Sequence, residues 1–287
     1  MSKYIINNKK GCTVTIMVPW DCDNACAFCV NKCEYNDGFD VDAAMEEILK
    51  SIKTMHAITP MCDFVITGGE PFANCMLLAN IIDAIPNTHN IYINTTLPVI
   101  HKDLIFTFVR MYHERISCIN ISRHIWTSVD GANDKFINKI GKYVPIRINS
   151  VIPNWVSYSK KNRAMLFDFF EQYAGFNIQI RSDYRNITVD GIQHYETNPV
   201  YIFLKECGAH ENWHRAETNR VGVKMTMNGY NFTWHLTCDF SKIEMGEDVE
   251  LVDIIVNQNG EIRDDWNEYG APLDLEDYRR SVNMEGK

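Results

Sequence analysis

Three cysteines on one short segment are the residues of this chain best suited to chemistry. Cys22, Cys26 and Cys29 follow the C-x3-C-x2-C spacing directly after a predicted strand. Three thiolates on one tight loop can face a single centre, and iron–sulfur clusters are held by such runs of cysteine. Three ligands leave one iron of a four-iron cube open, and an open iron binds a small chelating molecule. We therefore expect a catalytic iron–sulfur site on this loop.

Cys33 gives the same loop a second interpretation. It lies four residues beyond Cys29 and could supply a fourth ligand. The site would then be a closed structural zinc site or an electron-transfer centre. The paired cysteine spacing that is typical of zinc sites is absent, which favours three ligands and an open position.

A succession of strands and helices must position this loop. Runs of apolar and β-branched residues predict six strands that alternate with helices, at 13–18, 64–67, 91–94, 118–122, 146–151 and 177–181. Such an alternation predicts an α/β fold with a parallel sheet, flat or curved towards a barrel, and we expect a partial TIM-type (β/α)6 barrel. Ligands bind at the carboxyl ends of the strands in such sheets, so the residues that close each strand are candidates for the site.

The pattern changes after Arg215. Two predicted strands meet at Asn228-Gly229, the strongest short hairpin signal, and a second hairpin is predicted with its turn at 257–260. We expect a main domain over residues 10–215 and a small C-terminal antiparallel β extension over 216–287. We expect the extension to pack on the main domain as a cap, because about 70 residues of modest apolar content are marginally stable alone.

The composition narrows the class of protein. The chain has 287 residues, of which 46% are hydrophobic and 23% charged, as in soluble globular proteins. No run approaches the ~18 apolar residues of a membrane span, and the first residues lack the apolar core of a signal peptide. We therefore expect a cytoplasmic protein whose ten cysteines are thiols or metal ligands. A net charge of −9 without a stripe of Lys and Arg disfavours binding to duplex nucleic acid.

Two motifs together resemble those of the radical S-adenosylmethionine superfamily. The cysteine loop carries Phe28 directly before its third cysteine, and Thr67-Gly68-Gly69-Glu70-Pro71-Phe72 at the end of the second strand looks like the GGEP motif of that family. Glycines let the chain turn tightly and bring its backbone close to a ligand. Glu70 offers an acceptor for an ammonium group. The resemblance extends over the six strand–helix units.

The resemblance implies a site and a reaction. Cys22, Cys26 and Cys29 would bind three irons of a [4Fe-4S] cluster, and the amino and carboxylate groups of S-adenosylmethionine would chelate the fourth. One-electron reduction would give methionine and a 5′-deoxyadenosyl radical, which removes a hydrogen atom from a small-molecule, nucleoside or peptide substrate. A flavodoxin or ferredoxin would donate the electron. The residues implied to contact S-adenosylmethionine are Phe28, Gly68, Gly69, Glu70, Asn94, Ser122, Arg123 and Asn149.

Several of these residues close predicted strands and also admit structural interpretations. Asn94 and Ser122 would bind the ribose hydroxyls or the carboxylate of the cofactor, or else cap their strands. Arg123 would pair with a carboxylate of the cofactor or of Glu70, or else be exposed.

The fifth strand resembles the Lys-x-Asn-x-Val pattern of the molybdenum-cofactor cyclase and viperin branch, with Arg147 in place of Lys. Strand alternation places Arg147, Asn149 and Val151 on one face. Arg181 at the end of the sixth strand is a catalytic-site candidate that would bind an anionic part of the substrate, or else form a salt bridge. Cys238 is a second candidate that would line the same cavity, or else be a buried thiol.

Three further hypotheses come from the sequence. Cys207, His210 and His214 could share a helix face as a second metal site, although a histidine near a helix end is commonly a cap. The chain could instead be an activase that abstracts hydrogen from a glycine of a partner enzyme. As a non-enzyme, it could be a zinc-stabilised or electron-transfer protein that uses Cys33 as its fourth ligand.

Overall fold

The computed structural model describes residues 3–6, 12–29, 40–185, 187–217, 220–237, 242–245, 248–251, 253–264 and 273. Within these ranges, none of the helices is both long and apolar enough to cross a membrane. Cys33 and Cys238 lie outside the described residues.

Strands and helices alternate through most of the chain and are followed by strands alone. The strands are β1 (Lys3–Ile6), β2 (Thr13–Val18), β3 (Asp63–Gly68), β4 (Ile91–Thr95), β5 (Cys118–Ser122), β6 (Ile146–Ile152), β7 (Asn177–Ser182), β8 (His210–Ala216), β9 (Arg220–Met227), β10 (Tyr230–Thr237), β11 (Lys242–Met245), β12 (Asp248–Leu251), β13 (Asp253–Val256) and β14 (Ile262–Arg263). The α-helices are α1 (Val41–Ile58), α2 (Cys75–Ala84), α3 (Lys102–Tyr112), α4 (Asp134–Ile140), α5 (Lys160–Gln172), α6 (Val189–Gln193) and α7 (Pro199–Glu206). Short 3₁₀ turns lie at Pro71–Asn74, Val99–His101 and Tyr195–Thr197.

Helix α1 shows how local sequence sets these elements. Asp40 is its N-cap, and the carboxylate accepts a hydrogen bond from the Ala43 N–H at 3.1 Å. Such a cap satisfies one of the free N–H groups at the start of a helix. Ile48, Ile52 and Met55 repeat at helical spacing and are fully buried. The helix therefore begins and buries its apolar face as the sequence predicts.

Strands β2 to β7 lie side by side in chain order and pair in parallel. Their register aligns one row of buried isoleucines across five neighbouring strands, at positions 16, 66, 93, 119 and 146. This row lies on the face that the helices cover. The six predicted strands, their order and the mixed α/β class are confirmed, and the sheet positions the ends of these strands along one edge.

Of the C-terminal strands, β9, β10, β13 and β14 join this sheet, whereas β11 and β12 pair with β1 in a separate three-stranded sheet. The expected division into a main domain and a C-terminal cap stays a prediction. The predicted hairpin is present, with Asn228 and Gly229 at φ 49° and 85°, and its strand β10 pairs in parallel with β7. At the other edge β13 pairs in parallel with β2, and β14 turns back on β13. Strand β8 ends at the expected domain boundary and pairs with β9, so one hydrogen-bonded sheet crosses that boundary.

The eleven strands run in the order β14-β13-β2-β3-β4-β5-β6-β7-β10-β9-β8, and no described pairing joins the two edges. The sheet is therefore open. Burial raises the pKa of Asp253 on β13, and the nearby charges of Arg220 on β9 and Arg181 on β7 oppose that rise. In a flat sheet β13 and β7 would lie about 29 Å apart, too far for such an effect. The sheet must curl, and its concave face brings these strands together.

Candidate functional site

The cysteine loop follows β2 at the carboxyl end of the sheet. Cys22, Cys26 and Cys29 are half-buried cysteines that form no disulfide, and the Cys29 N–H donates to the Cys26 carbonyl at 3.1 Å. Three thiols on one turn are a donor set that fits an iron–sulfur cluster. Among the described residues, no group of three or more His, Cys, Asp or Glu side chains is arranged to hold a metal ion. That finding includes the cysteine loop. The three thiols are suitable ligands for an iron–sulfur cluster, whereas their arrangement does not form a site for a single metal ion.

Polar contacts from later strands hold this loop in place. The Asn24 side chain accepts from the Asp130 N–H at 2.7 Å and donates to the Thr96 hydroxyl at 3.4 Å. Arg185, which follows β7, donates to the Ala27 carbonyl at 3.1 Å. Sequence reasoning missed Asn24 and Arg185, because both contacts join residues more than 70 positions apart and leave no local pattern.

The Gly68-Gly69-Glu70 turn packs directly against the loop. A Cβ at Gly69 would lie 2.0 Å from the Trp20 carbonyl oxygen and 2.7 Å from the backbone of Asp21. The Trp20 indole donates to the Glu70 carbonyl at 2.7 Å, and the Glu70 N–H donates to the Asp21 carbonyl at 3.2 Å. Glycine is required here because one backbone approaches another. The motif therefore joins the second strand to the cysteine loop.

The Glu70 carboxylate is buried and accepts four hydrogen bonds from its own chain. The donors are the Thr95 hydroxyl, the Thr96 N–H and hydroxyl, both at 2.7 Å, and the Phe72 N–H at 3.0 Å. Burial raises the pKa of Glu70, and these hydrogen bonds oppose the rise. An ionised carboxylate has about four acceptor positions. An ammonium group can therefore reach Glu70 only by sharing or displacing one of these donors.

Arg123 and Asn94 lie at the ends of their strands with partners in the chain. Arg123 donates to the carbonyls of Thr96 and Ala132 at 2.9 and 2.6 Å, and to that of Ser122 at 2.7 Å. The Asn94 side chain accepts from the Asn120 amide at 2.8 Å. Arg123 thus holds loop backbone and forms no described ion pair with Glu70.

Asn149 is a residue of the predicted site whose side-chain oxygen lacks a hydrogen-bond donor among the described residues. Its Oδ1 is buried and has no hydrogen-bond partner among the described residues. On β6, Arg147, Asn149 and Val151 alternate with buried residues and share the concave face, as predicted. Register places Asn149 beside the half-buried Ser122 of β5. A buried acceptor without a partner is costly unless a ligand supplies the donor, so this position fits a bound hydroxyl.

Phe28 packs against a histidine that sequence reasoning did not assign to the site. The rings of Phe28 and His124 meet edge to face, with centroids 4.7 Å apart. His124 Nδ1 accepts from the Val151 N–H at 3.1 Å, so its proton lies on Nε2. Burial, together with the charge of Arg123, lowers the pKa of His124 to about 4. His124 is therefore a neutral ring that joins the cysteine loop to β6.

Arg181 lies on the concave face of β7, level with Val151 of the neighbouring strand. Its side chain is accessible to solvent, yet surrounding protein lowers its pKa. The second catalytic-site candidate, Cys238, lies outside the described residues, so nothing is added to that prediction.

The proposed second metal site at Cys207, His210 and His214 is not formed. Cys207 caps the end of α7 and is buried, whereas both histidines lie on strand β8. His214 Nδ1 instead lies 2.7 Å from the Glu211 carboxylate. The helix expected to carry all three residues ends before the first histidine, so the prediction was wrong.

A cavity of about 510 Å³ opens at the opposite end of the sheet, near the start of β7 and the β9–β10 turn. Its lining includes Gly141, Gly175, Asn177, Gly229 and Tyr230 and carries no charged side chain. It is therefore separate from the cysteine loop at the carboxyl ends of the strands.

Comparison with known proteins supports the iron–sulfur interpretation. Residues 8–111 match the family model of the 4Fe-4S single cluster domain, a segment that contains the cysteine loop and the Gly68-Gly69-Glu70 turn. No curated protein sequence matches the chain.

Solved structures of SuiB from Streptococcus suis share the fold. The structure bound to S-adenosylmethionine aligns with 15% identity and a TM-score of 0.53, over 92% of this chain and 64% of that one. SuiB alone gives 15% and 0.50, over 88% and 59%. SuiB bound to the precursor peptide SuiA gives 17% and 0.49, over 88% and 58%. This chain thus spans less than two thirds of each SuiB chain.

The iron–sulfur family match over residues 8–111 and the fold shared with SuiB support the predicted resemblance to the radical S-adenosylmethionine superfamily. They also support the predicted [4Fe-4S] cluster. The similarity to the molybdenum-cofactor cyclase and viperin branch stays a prediction.

Proposed function

We propose that this protein is an enzyme that reductively cleaves S-adenosylmethionine at a [4Fe-4S] cluster and abstracts hydrogen from a substrate. The observation that carries the proposal is the docking of the three-cysteine loop on the Gly68-Gly69-Glu70 turn, through hydrogen bonds at 2.7 and 3.2 Å. The fold shared with SuiB, which was crystallised with S-adenosylmethionine, supports it.

The residues of the loop and the strand ends would divide the work of binding. Cys22, Cys26 and Cys29 would bind three irons and leave the fourth for the amino and carboxylate groups of S-adenosylmethionine. When bound and reduced by one electron, S-adenosylmethionine supplies a 5′-deoxyadenosyl radical that takes a hydrogen atom from the substrate. The backbone at Phe28 would contact the adenine, as the resemblance implies.

The turn and strands would hold the remaining groups. The carbonyls of Gly68 and Gly69 would bind the methionyl ammonium, because the Glu70 carboxylate already accepts four hydrogen bonds. Asn149 Oδ1 would accept from a ribose hydroxyl, since it is buried and otherwise lacks a donor among the described residues. Ser122 and Asn94 would add polar contacts from β5 and β4.

The proposed function also implies an electron donor, a location and a substrate class. A flavodoxin or ferredoxin would supply the electron, and we propose a cytoplasmic location, where thiols stay reduced. The substrate would be a small molecule, a nucleoside or a peptide.

Formation of 5′-deoxyadenosine tests the proposal. We expect the reconstituted protein, incubated anaerobically with dithionite and S-adenosylmethionine, to form 5′-deoxyadenosine and methionine in a 1:1 ratio, about one of each per cleavage event. Chromatography with mass detection measures both products. A colourless protein that holds one zinc and forms neither product would contradict the proposal and favour the structural-zinc alternative.

A further inference from the structure

The concave face of the sheet carries a group of cations next to the candidate cofactor site. We define the cationic face as Arg147 on β6, Arg181 on β7 and Arg220 on β9, together with the neutral ring of His235 on β10. Register aligns Val151, Arg181, His235 and Gly222 in one row across four strands. Paired residues of neighbouring strands share a face, so Arg181 and His235 point to the same side as Asn149.

The members of the cationic face lie close together. Burial, together with the charges of Arg181, Arg147 and Arg220, lowers the pKa of His235 to about 3. A Cβ at Gly222 would meet the His235 ring at 3.3 Å, so this ring lies over β9. Residues from four strands thus converge on one region.

Two carboxylates, Asp253 and Glu217, lie near this region, but neither pairs directly with Arg181 or Arg147. Among the described residues, neither Arg181 nor Arg147 has a carboxylate within the 4.0 Å of an ion pair, and Asp253 acts on Arg181 from beyond that distance. Glu217 pairs with Arg220 at 2.6 Å but also with Arg215 at 2.9 Å. The chain as a whole carries −9, so an excess of positive charge on this face stands out.

Arg181 is accessible to solvent and has no ion-pair partner among the described residues, so its guanidinium is available to a bound anion. The planar fork of arginine matches the two oxygens of a carboxylate or phosphate. Arg181 lies on β7, the strand next to β6, where it pairs with Val151. It is therefore near the Asn149 Oδ1 that lacks a partner among the described residues. An anion held by Arg181 would therefore lie next to the proposed cofactor.

We propose that the cationic face binds an anionic group, a carboxylate or a phosphate, of the substrate. That the bound group belongs to a substrate rests on the proposed function, whereas the anion site itself rests on the cations alone. It narrows the substrates to molecules that carry such a group.

Protection of Arg181 from chemical modification tests the site in the protein without substitutions. The full-length reconstituted protein is treated with phenylglyoxal at constant ionic strength, with chloride alone, inorganic phosphate or malonate, and each arginine is followed by mass spectrometry. We expect phosphate or malonate at several times its dissociation constant to slow modification of Arg181 at least about fivefold. Modification of Arg110, exposed on α3, should not change. Protection by phosphate alone indicates a phosphoryl substrate, and protection by malonate alone indicates a carboxylate.

Two variants complete the test. Arg181→Met should weaken binding of the protecting anion by at least about tenfold, and Arg110→Met should leave it unchanged. Arg110→Met should still form 5′-deoxyadenosine without substrate, because Arg110 is exposed on α3 and outside the proposed site. Equal modification of Arg181 with and without both anions would overturn the anion site. Protection in a protein that forms no 5′-deoxyadenosine would instead overturn the proposed function and leave the anion site standing.

Discussion

Cys26→Ala protein is expected to be colourless and unable to form 5′-deoxyadenosine. Cys26 is the central cysteine of the loop, and its carbonyl accepts the turn hydrogen bond from Cys29. Removing it leaves two thiolates for a four-iron cluster, so two of the four corners would lack a cysteine ligand. We expect bound iron and sulfide to fall from about four of each per chain to near zero. Visible absorbance and chemical assays of iron and sulfide measure the loss.

Two other cysteine variants serve as controls for this result. Cys75→Ala changes a thiol at the start of α2, outside the loop, and should keep the cluster. Cys33→Ala should also keep it, because the account needs three cysteine ligands. A Cys33→Ala protein that loses its colour would contradict the assignment and favour a closed, four-cysteine site.

Gly69→Ala is expected to separate the turn from the cysteine loop. The new Cβ would lie 2.0 Å from the Trp20 carbonyl oxygen, so one backbone segment must move. Overpacking of this kind costs at least about 3 kcal/mol, because a carbonyl on a docked turn cannot rotate away as a flexible side chain can. We expect a matching fall in the free energy of unfolding of the cluster-free protein, measured with urea, and loss of most of the reconstituted cluster.

Gly175→Ala is the matched control for that variant. A Cβ at Gly175 meets no atom within 4 Å, and the residue precedes β7 at the opposite end of the sheet. Its stability and iron content should equal those of the unchanged protein. Equal stability and iron content in Gly69→Ala would show that the turn and loop are not docked as described.

The fold was predictable wherever local patterns decide it. β-Branched runs such as Thr13–Val18 gave the parallel strands, Asp40 gave the start of α1, and Asn228-Gly229 gave the hairpin. These features depend on residues close in sequence. The places of β10 beside β7 and of β13 beside β2 depend on pairing between distant segments, which no local pattern encodes.

The candidate site also has features that local sequence predicts and features that depend on distant contacts. Spacing singled out the three cysteines, a resemblance to a family motif singled out the Gly-Gly-Glu turn, and alternation placed Arg147 and Asn149 on one face. The partners of Glu70 and Arg123 could not be predicted, since Thr95, Thr96 and Ala132 reach them only in the folded chain. The Cys207-His210-His214 spacing suits a helix face, but Gly208 with φ +98° ends α7 and the chain continues as a strand.

The central claim is one iron that the protein leaves open for S-adenosylmethionine. Electron–nuclear double resonance of the reduced cluster, with S-adenosylmethionine labelled with ¹⁵N in its amino group or ¹⁷O in its carboxylate, tests it most directly. We expect strong couplings to both labels. Samples prepared with unlabelled S-adenosylmethionine are the control and should show neither coupling. A reduced [4Fe-4S] cluster whose spectrum shows no coupling to either label, in protein saturated with S-adenosylmethionine, would contradict the account.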